Sequence, residues 1–299
     1  MFASSSHPVT QTAPAQIYAV RPDILAVEVA PPTVTLGRQM PYVAEPGDRI
    51  ITRNKQSELR RNGKPIGILI GANQGILYTD DEVSESSFRV AYAGGAERYS
   101  IRSQSNKNYA TEKTPITVAH KTKPMGLSRS AEGGRQWLSG HTLYLTLPRP
   151  MQLGKRYQLR FSELGLADGE FMYAPMSAHS EAVHVSQLGF RPADPFKVGY
   201  LSTWMGSGGS VDYPDGLNFS LVESGSGQPV YRSVAMRRRG STQREGPRNR
   251  DYTLSEVHQL DFSDFSEPGE YRLCVESVGL FIRLSNRCRC LGACIFHCD

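Results

Sequence analysis

At 299 residues, 39% hydrophobic and 21% charged, the chain has the length for two domains of ordinary size and the make-up of a soluble globular protein. It lacks any run near the roughly 20 apolar residues of a membrane helix. Its net charge of +5 is too diffuse to imply nucleic acid.

The chain opens Met1-Phe2-Ala3-Ser4-Ser5-Ser6, without a basic stretch or an apolar core of the secretory type. That leaves two alternatives, a cytoplasmic protein or a true start further upstream. Residues 1–15, rich in Ser, Thr, Pro and Ala, read as a disordered head with little to bury. From there the periodicity is two-residue. Leu143, Leu145 and Leu147 fall on one face of a strand, and Tyr157, Leu159 and Phe161 alternate with Gln158 and Arg160. Shorter runs at 17–20, 24–29, 66–70, 88–93, 116–119 and 171–173 are predicted strands. Turn residues such as Pro46-Gly47-Asp48, Asn62-Gly63 and Gly94-Gly95 punctuate them. No segment keeps an apolar stripe at helical spacing for three turns. The expectation for 16–175 is therefore a β-sandwich.

A short proline-containing linker, Ala174 to Ser180, leads to a second strand series. Its predicted strands begin near Val183 and continue at 198–201, 219–222, 230–232, 257–262 and 271–275. About a hundred residues with some seven strands is the size of an immunoglobulin-like sandwich, expected over 181–284. The fold class predicted for the whole chain is all-β, with two β-sandwich domains, the second immunoglobulin-like.

Three segments of this second series carry a resemblance. They are Val183-His184-Val185-Ser186-Gln187-Leu188-Gly189-Phe190-Arg191-Pro192, the hairpin from Leu221-Val222-Glu223 to Gly227-Gln228-Pro229-Val230-Tyr231, and Asp261-Phe262 through Pro268-Gly269-Glu270-Tyr271-Arg272-Leu273. In this order they resemble the N-terminal immunoglobulin-like domain of family 9 glycoside hydrolases, the cellulase family. Residues 141–157 are compatible with the further β-sandwich that precedes it in some members. The resemblance implies a non-catalytic accessory portion of a polysaccharide-degrading enzyme. In that family an α/α barrel follows, with an Asp pair and a distant Glu that invert the sugar. The resemblance ends at Val278-Gly279, so it carries over no catalytic residue, no cofactor and no metal site, and the chain is expected to be truncated before the barrel. The implied partners are a catalytic glycosidase module or a polysaccharide, with neither nucleic acid nor membrane. The alternative is a stand-alone carbohydrate-binding β-sandwich. The resembled family is mostly secreted, which the N-terminus does not help to decide.

Within this frame the residues have plain structural readings. Phe262 and Phe265 plug one end of the sandwich, and Tyr271 anchors the last strands through its hydroxyl. Pro268-Gly269 is expected to supply a tight turn with a positive φ. Gln187 is expected to satisfy backbone groups where the first strand bends. Asp80, Asp81 and Glu82 read as a solvated turn rather than an acid or metal site. Arg232, Arg237, Arg238, Arg239, Arg244, Arg248 and Arg250 suit an anionic polymer, or, more simply, a solvated loop. Gly206-Ser207-Gly208-Gly209-Ser210 reads as a flexible loop. Trp137 and Trp204 are the two candidates for stacking on a sugar ring. Cys288, Cys290, Cys294 and Cys298 crowd the tail 285–299 with His297. Their spacing is not that of a usual zinc finger, and an aberrant terminus is the favoured alternative to a zinc site.

Overall fold

The alternating apolar residues form strands, as expected, and the fold is all-β. The computed structural model describes residues 15–53, 55–84, 86–129 and 135–286, with side chains through 281. Helical structure among them is confined to five single 3-10 turns. The disordered head and nearly all of the Cys-rich tail, including its four cysteines and His297, lie outside the described residues.

The immunoglobulin-like part is made of two four-stranded antiparallel sheets. One has the order Val183–Val185, Val198–Leu201, Val257–Asp261, Met236–Arg239. The other runs Pro229–Val234, Asn218–Glu223, Gly269–Val275, Gly279–Asn286. Register puts Leu221 opposite Leu273 and Phe219 opposite Val275. These side chains face Leu201, Leu260 and Phe262 in a core from which water is excluded. Burying a large apolar side chain contributes roughly 1.5–3 kcal/mol, so this interior is the main source of stability. Phe262 and Phe265 are buried, with Phe262 edge-on to Phe190 and Phe265 edge-on to Tyr271. The Tyr271 hydroxyl donates to the carbonyls of Glu267 and Pro268 at 3.3 Å each, as expected of an anchor. Gly269 differs from expectation. It does not have a positive φ. Glycine is needed because a Cβ there would lie 2.5 Å from the Tyr271 hydroxyl oxygen. Gln187 is exposed at the strand end, away from the buried backbone it was expected to serve.

The chain divides into two compact units, and the division differs from a sequential one at 175–181. One unit holds 29–88 and 122–141; the other holds 15–28, 89–121 and everything from 142 onward. In the larger unit, the immunoglobulin-like sheets share their core with Tyr18, Val20, Ile24, Ala26, Ala119 and Tyr144. These come from a four-stranded sheet in the order Ala15–Arg21, Ile24–Val29, Arg135–Thr146, Thr117–Arg129. A three-stranded antiparallel sheet of Tyr99–Arg102, Arg156–Phe161 and Gly169–Met172 completes this unit. Its buried tyrosines end on backbone carbonyls: Tyr99 on Ala93, Tyr109 on Arg149, and Tyr173 on Ser277. The run 88–93, predicted as a strand, instead holds a 3-10 turn at Val90–Tyr92 with both residues about half exposed. Its alternation finds no partner strand.

The smaller unit is a five-stranded antiparallel sheet ordered Gln39–Pro41, Ile76–Thr79, Lys64–Ile70, Gln56–Arg61, Asp48–Arg53. Its core is small, made of Leu59, Leu69 and Leu77 with Tyr42 and Ile66 against them. The Asn62-Gly63 turn has φ of 51° and 83°, the double positive φ of a type I′ hairpin. Charge supports this thin core. Asp48 accepts from Arg61 at 2.7 Å and from the Glu45 backbone N–H at 2.9 Å, and the arginine pulls its carboxyl down to about 2.

The arginine-rich stretch is a solvated loop from Gly240 onward, as expected for Arg244, Arg248 and Arg250, but not before it. Met236–Arg239 is a strand, and Arg239 is 8% exposed. Its guanidinium donates to the Ser255 carbonyl at 2.8 Å, to Asp251 at 2.6 Å and to the Gln243 carbonyl, and lies 2.7 Å from Glu245 as an ion pair. Arg237 lies 3.1 Å from Asp215, and Arg238 donates to Gln259 at 2.9 Å. Two outcomes follow. Arg239→Met should cost about 2 kcal/mol in urea unfolding, because it leaves the buried Ser255 carbonyl without its donor and two partly exposed carboxylates without their cation. Arg238→Gln, at an exposed position, should cost under about 1 kcal/mol. For Asp48, the depressed pKa means that its contribution is complete above its ordinary value near 3.8 and is lost as pH falls toward 2. Hydrogen exchange of residues 48–70 should therefore accelerate between pH 4 and 2 in the parent chain and show no such step in Asp48→Asn.

Candidate functional site

Strand ends, where side chains leave the pleated surface, hold the places able to take a ligand. In the larger unit, Trp204 follows strand Val198–Leu201 and pairs by a backbone bridge with Ser210. The glycine-rich segment between them is held in place, contrary to expectation. The Met205 N–H donates to the Gly209 carbonyl at 2.7 Å, and the Ser207 hydroxyl accepts from the His120 N–H at 3.0 Å. Trp204 keeps 38% of its surface exposed and lines a cleft of about 260 Å3 with Lys121, Glu181 and His184.

Glu181 stands at the centre of that arrangement. It follows the buried Ser180 directly and accepts from Lys121 Nζ at 2.9 Å and from the Tyr144 hydroxyl on the same oxygen. The Lys121 ammonium lies 5.1 Å from the Tyr144 ring centre, within cation–π range. Burial raises the Tyr144 and Tyr18 hydroxyls well above the ordinary phenol range, and the Glu181 charge adds to it. Both phenols stay protonated, so Tyr144 acts as a donor. Behind the cleft, hydroxyls are tied to one another: Ser202 to Ser255 at 3.2 Å, and Thr203 to Tyr213 at 2.9 Å.

Trp137 occupies a different place, in the smaller unit. It is 68% exposed on strand Arg135–Thr146. It lines a hollow of about 430 Å3 with Val83, Gln136, Ser139 and His141. This too is an aromatic wall with neutral polar neighbours. The structure thus gives each tryptophan a concave surface within its own unit.

Asp81 and Glu112 are engaged in the local structure. Asp81 is not in a solvated turn; its carboxylate accepts from the Gly37 N–H at 2.8 Å and the Arg129 N–H at 2.7 Å, which holds its pKa below the usual range. It ties three segments of the smaller unit together, with the Arg129 guanidinium 3.5 Å from the Tyr78 ring centre. A cavity of about 390 Å3 in the larger unit has Glu97, Glu112 and Asp168 on its wall. Glu112 is paired with Arg160 at 3.0 Å, Glu97 with Arg98 at 3.7 Å, and Asp168 accepts from the Phe161 N–H. Among the described residues no three His, Cys, Asp or Glu side chains gather as a metal site. Cys274 is buried, which pushes its thiol up to about 11 and leaves it protonated and unreactive at neutral pH. Sequence reasoning named both tryptophans but missed Lys121, Glu181 and Tyr144. Lys121 and Tyr144 sit within strands and Glu181 just before one, places that carry no sequence signal of their meeting.

Comparison with known proteins bears on the immunoglobulin-like part. Residues 178–279 match the family model for the cellulase N-terminal Ig-like domain. Among solved structures, a metagenome-derived glycoside hydrolase family 9 endoglucanase aligns at 17% identity, covering 35% of this chain and 18% of that one, with a TM-score of 0.27. A family 9 glycoside hydrolase of Bacteroides ovatus aligns at 18% identity over 36% and 15%, with a TM-score of 0.26. A pullulanase from Anoxybacillus sp. LM18-11 aligns at 8% identity over 88% and 24%, with a TM-score of 0.16. The chain spans less than a fifth of either family 9 enzyme. No curated protein matches it. The segment 178–279 is thus similar to a cellulase N-terminal immunoglobulin-like domain, in a chain whose other described elements are mainly β-strands.

Proposed function

We propose that the described residues are the non-catalytic accessory portion of a family 9-like glycoside hydrolase, working beside a catalytic glycosidase module in polysaccharide degradation. The observation that carries this is the family match over 178–279, which takes in seven whole strands of the two four-stranded sheets and the first residue of the eighth. The side chains agree. The carboxylates on the wall of the 390 Å3 cavity are engaged by guanidinium groups or a backbone N–H, which suits architecture better than acid–base work. Purified chain incubated with carboxymethyl cellulose should release reducing ends at the buffer rate, and Glu181→Gln should leave that rate unchanged. Hydrolysis well above background that is abolished by substituting one carboxylate would overturn the proposal.

A second reading, a carbohydrate-binding β-sandwich, is favoured by one observation: Trp137 presents two thirds of its surface beside neutral polar groups. In affinity electrophoresis through soluble β-glucan the chain should then be retarded, and Trp137→Ala should migrate as in a glucan-free gel. Equal mobility of the parent chain in both gels would count against it.

A further inference from the structure

We infer that the cleft between Trp204 and the Lys121–Glu181 pair is a subsite for a single pyranose residue, held through two neighbouring hydroxyls. A sugar ring has an apolar C–H face and a rim of hydroxyls that both donate and accept. The cleft has the complement of each. Trp204 supplies an aromatic wall that is already ordered, since its segment is bridged to Ser210 and fastened to His120. Lys121 and Glu181 supply a donor and an acceptor side by side, 2.9 Å apart. An ammonium has three donors and a carboxylate about four acceptor positions. The bonds to each other and to Tyr144 therefore leave capacity for a vicinal diol, one hydroxyl accepting from Lys121 and the other donating to Glu181.

Charge selects the ligand class. The lysine and the carboxylate cancel, so the cleft attracts neither a free anion nor a free cation, and a neutral polyol fits. Size selects the ligand length. About 260 Å3 is below the roughly 300–1,000 Å3 of clefts that enclose drug-sized ligands, which limits it to one ring. The walls are set before binding. His184 Nε2 is 3.0 Å from the Ser202 carbonyl, and the Ser202 and Ser255 hydroxyls hold each other, so little side-chain freedom is lost when a sugar arrives. This inference draws on the proposed polysaccharide context only for the choice of sugar to try first.

The chain has two tryptophans, so Trp137→Phe leaves Trp204 as the sole indole reporter. Titrating that variant with methyl β-D-glucopyranoside should give a saturable change in Trp204 fluorescence with a midpoint near 1 mM, within about tenfold either way. Glu181→Gln and Lys121→Met in the same background should each raise the midpoint at least tenfold. Sorbitol, which has no ring face, should give no saturable change. A linear, non-saturating response to the glucoside, or an unshifted midpoint in Glu181→Gln, overturns the inference. Should the Glu181 variant fail to fold, saturation-transfer NMR of the glucoside with Trp204→Ala decides; transfer undiminished from that of the parent chain overturns it. These readouts are of binding, so their failure is separate from the hydrolysis result that tests the accessory role.

Discussion

The larger unit depends on one joint of backbone, where the segment Ala178–Ser180 lies against the last strand. The Leu280 N–H donates to the Ala178 carbonyl at 3.0 Å, and the Ser180 N–H to the Leu280 carbonyl at 3.2 Å. Ser180 is fully buried, and its hydroxyl donates to the Ala19 carbonyl at 2.9 Å. Gly279 takes a φ of 150°, and a Cβ on it would run into Ser180. The first strand of the unit, its linker and its last strand thus close at a single point. Because these polar groups satisfy one another, the apolar side chains around them bury without stranding a donor or acceptor. That is what lets one core run from Tyr18 and Val20 to Leu201 and Leu273. It also fixes Glu181, the next residue, at the mouth of the Trp204 cleft.

The immunoglobulin-like half was legible in the sequence because both of its sheets bury one face against the other. Phe219 and Leu221, like Leu273 and Val275, recur at the two-residue spacing of one strand face. The smaller unit was not legible for the converse reason. Strand Gln56–Arg61 commits one leucine to the core, so its alternation is nearly silent. Only the Asn62-Gly63 turn announced a hairpin there, without saying how long its arms were. The discontinuous units were hidden too, since the chain leaves the larger unit after Glu28 and comes back to it at Arg89 and Thr142. Nothing in the composition changes at those points. Of the candidate site, the tryptophans could be named from type alone; their polar partners could not, because Lys121, Tyr144 and Glu181 meet only through tertiary pairing.

A few charges in this protein are turned inward. Arg239 gathers three carbonyl or carboxylate groups of its own loop, and Asp81 gathers two N–H groups from segments far apart in sequence. Lys197, 1% exposed, places its ammonium on the Pro192 and Asp194 carbonyls at 3.0 and 2.8 Å. A sandwich of short strands leaves many loop carbonyls that no ladder reaches. A cation on a long stem satisfies several at once. The arginine-rich stretch read as a solvated loop throughout because sequence shows charge but not the direction of Arg239.

The buried tyrosines that end on carbonyls set a ceiling in alkali. Burial pushes Tyr109 and Tyr173 up to about 12, and Tyr99 higher still. A phenol whose pKa is raised by folding stabilises the fold fully below its ordinary value near 10, and that contribution is lost as pH climbs toward the folded value. Because Tyr109 and Tyr157 touch edge-on and Tyr157 stacks on Phe171, ionising one phenol would place an anion among rings that cannot solvate it. The three-stranded sheet around them should therefore lose stability in base between about pH 10 and 12.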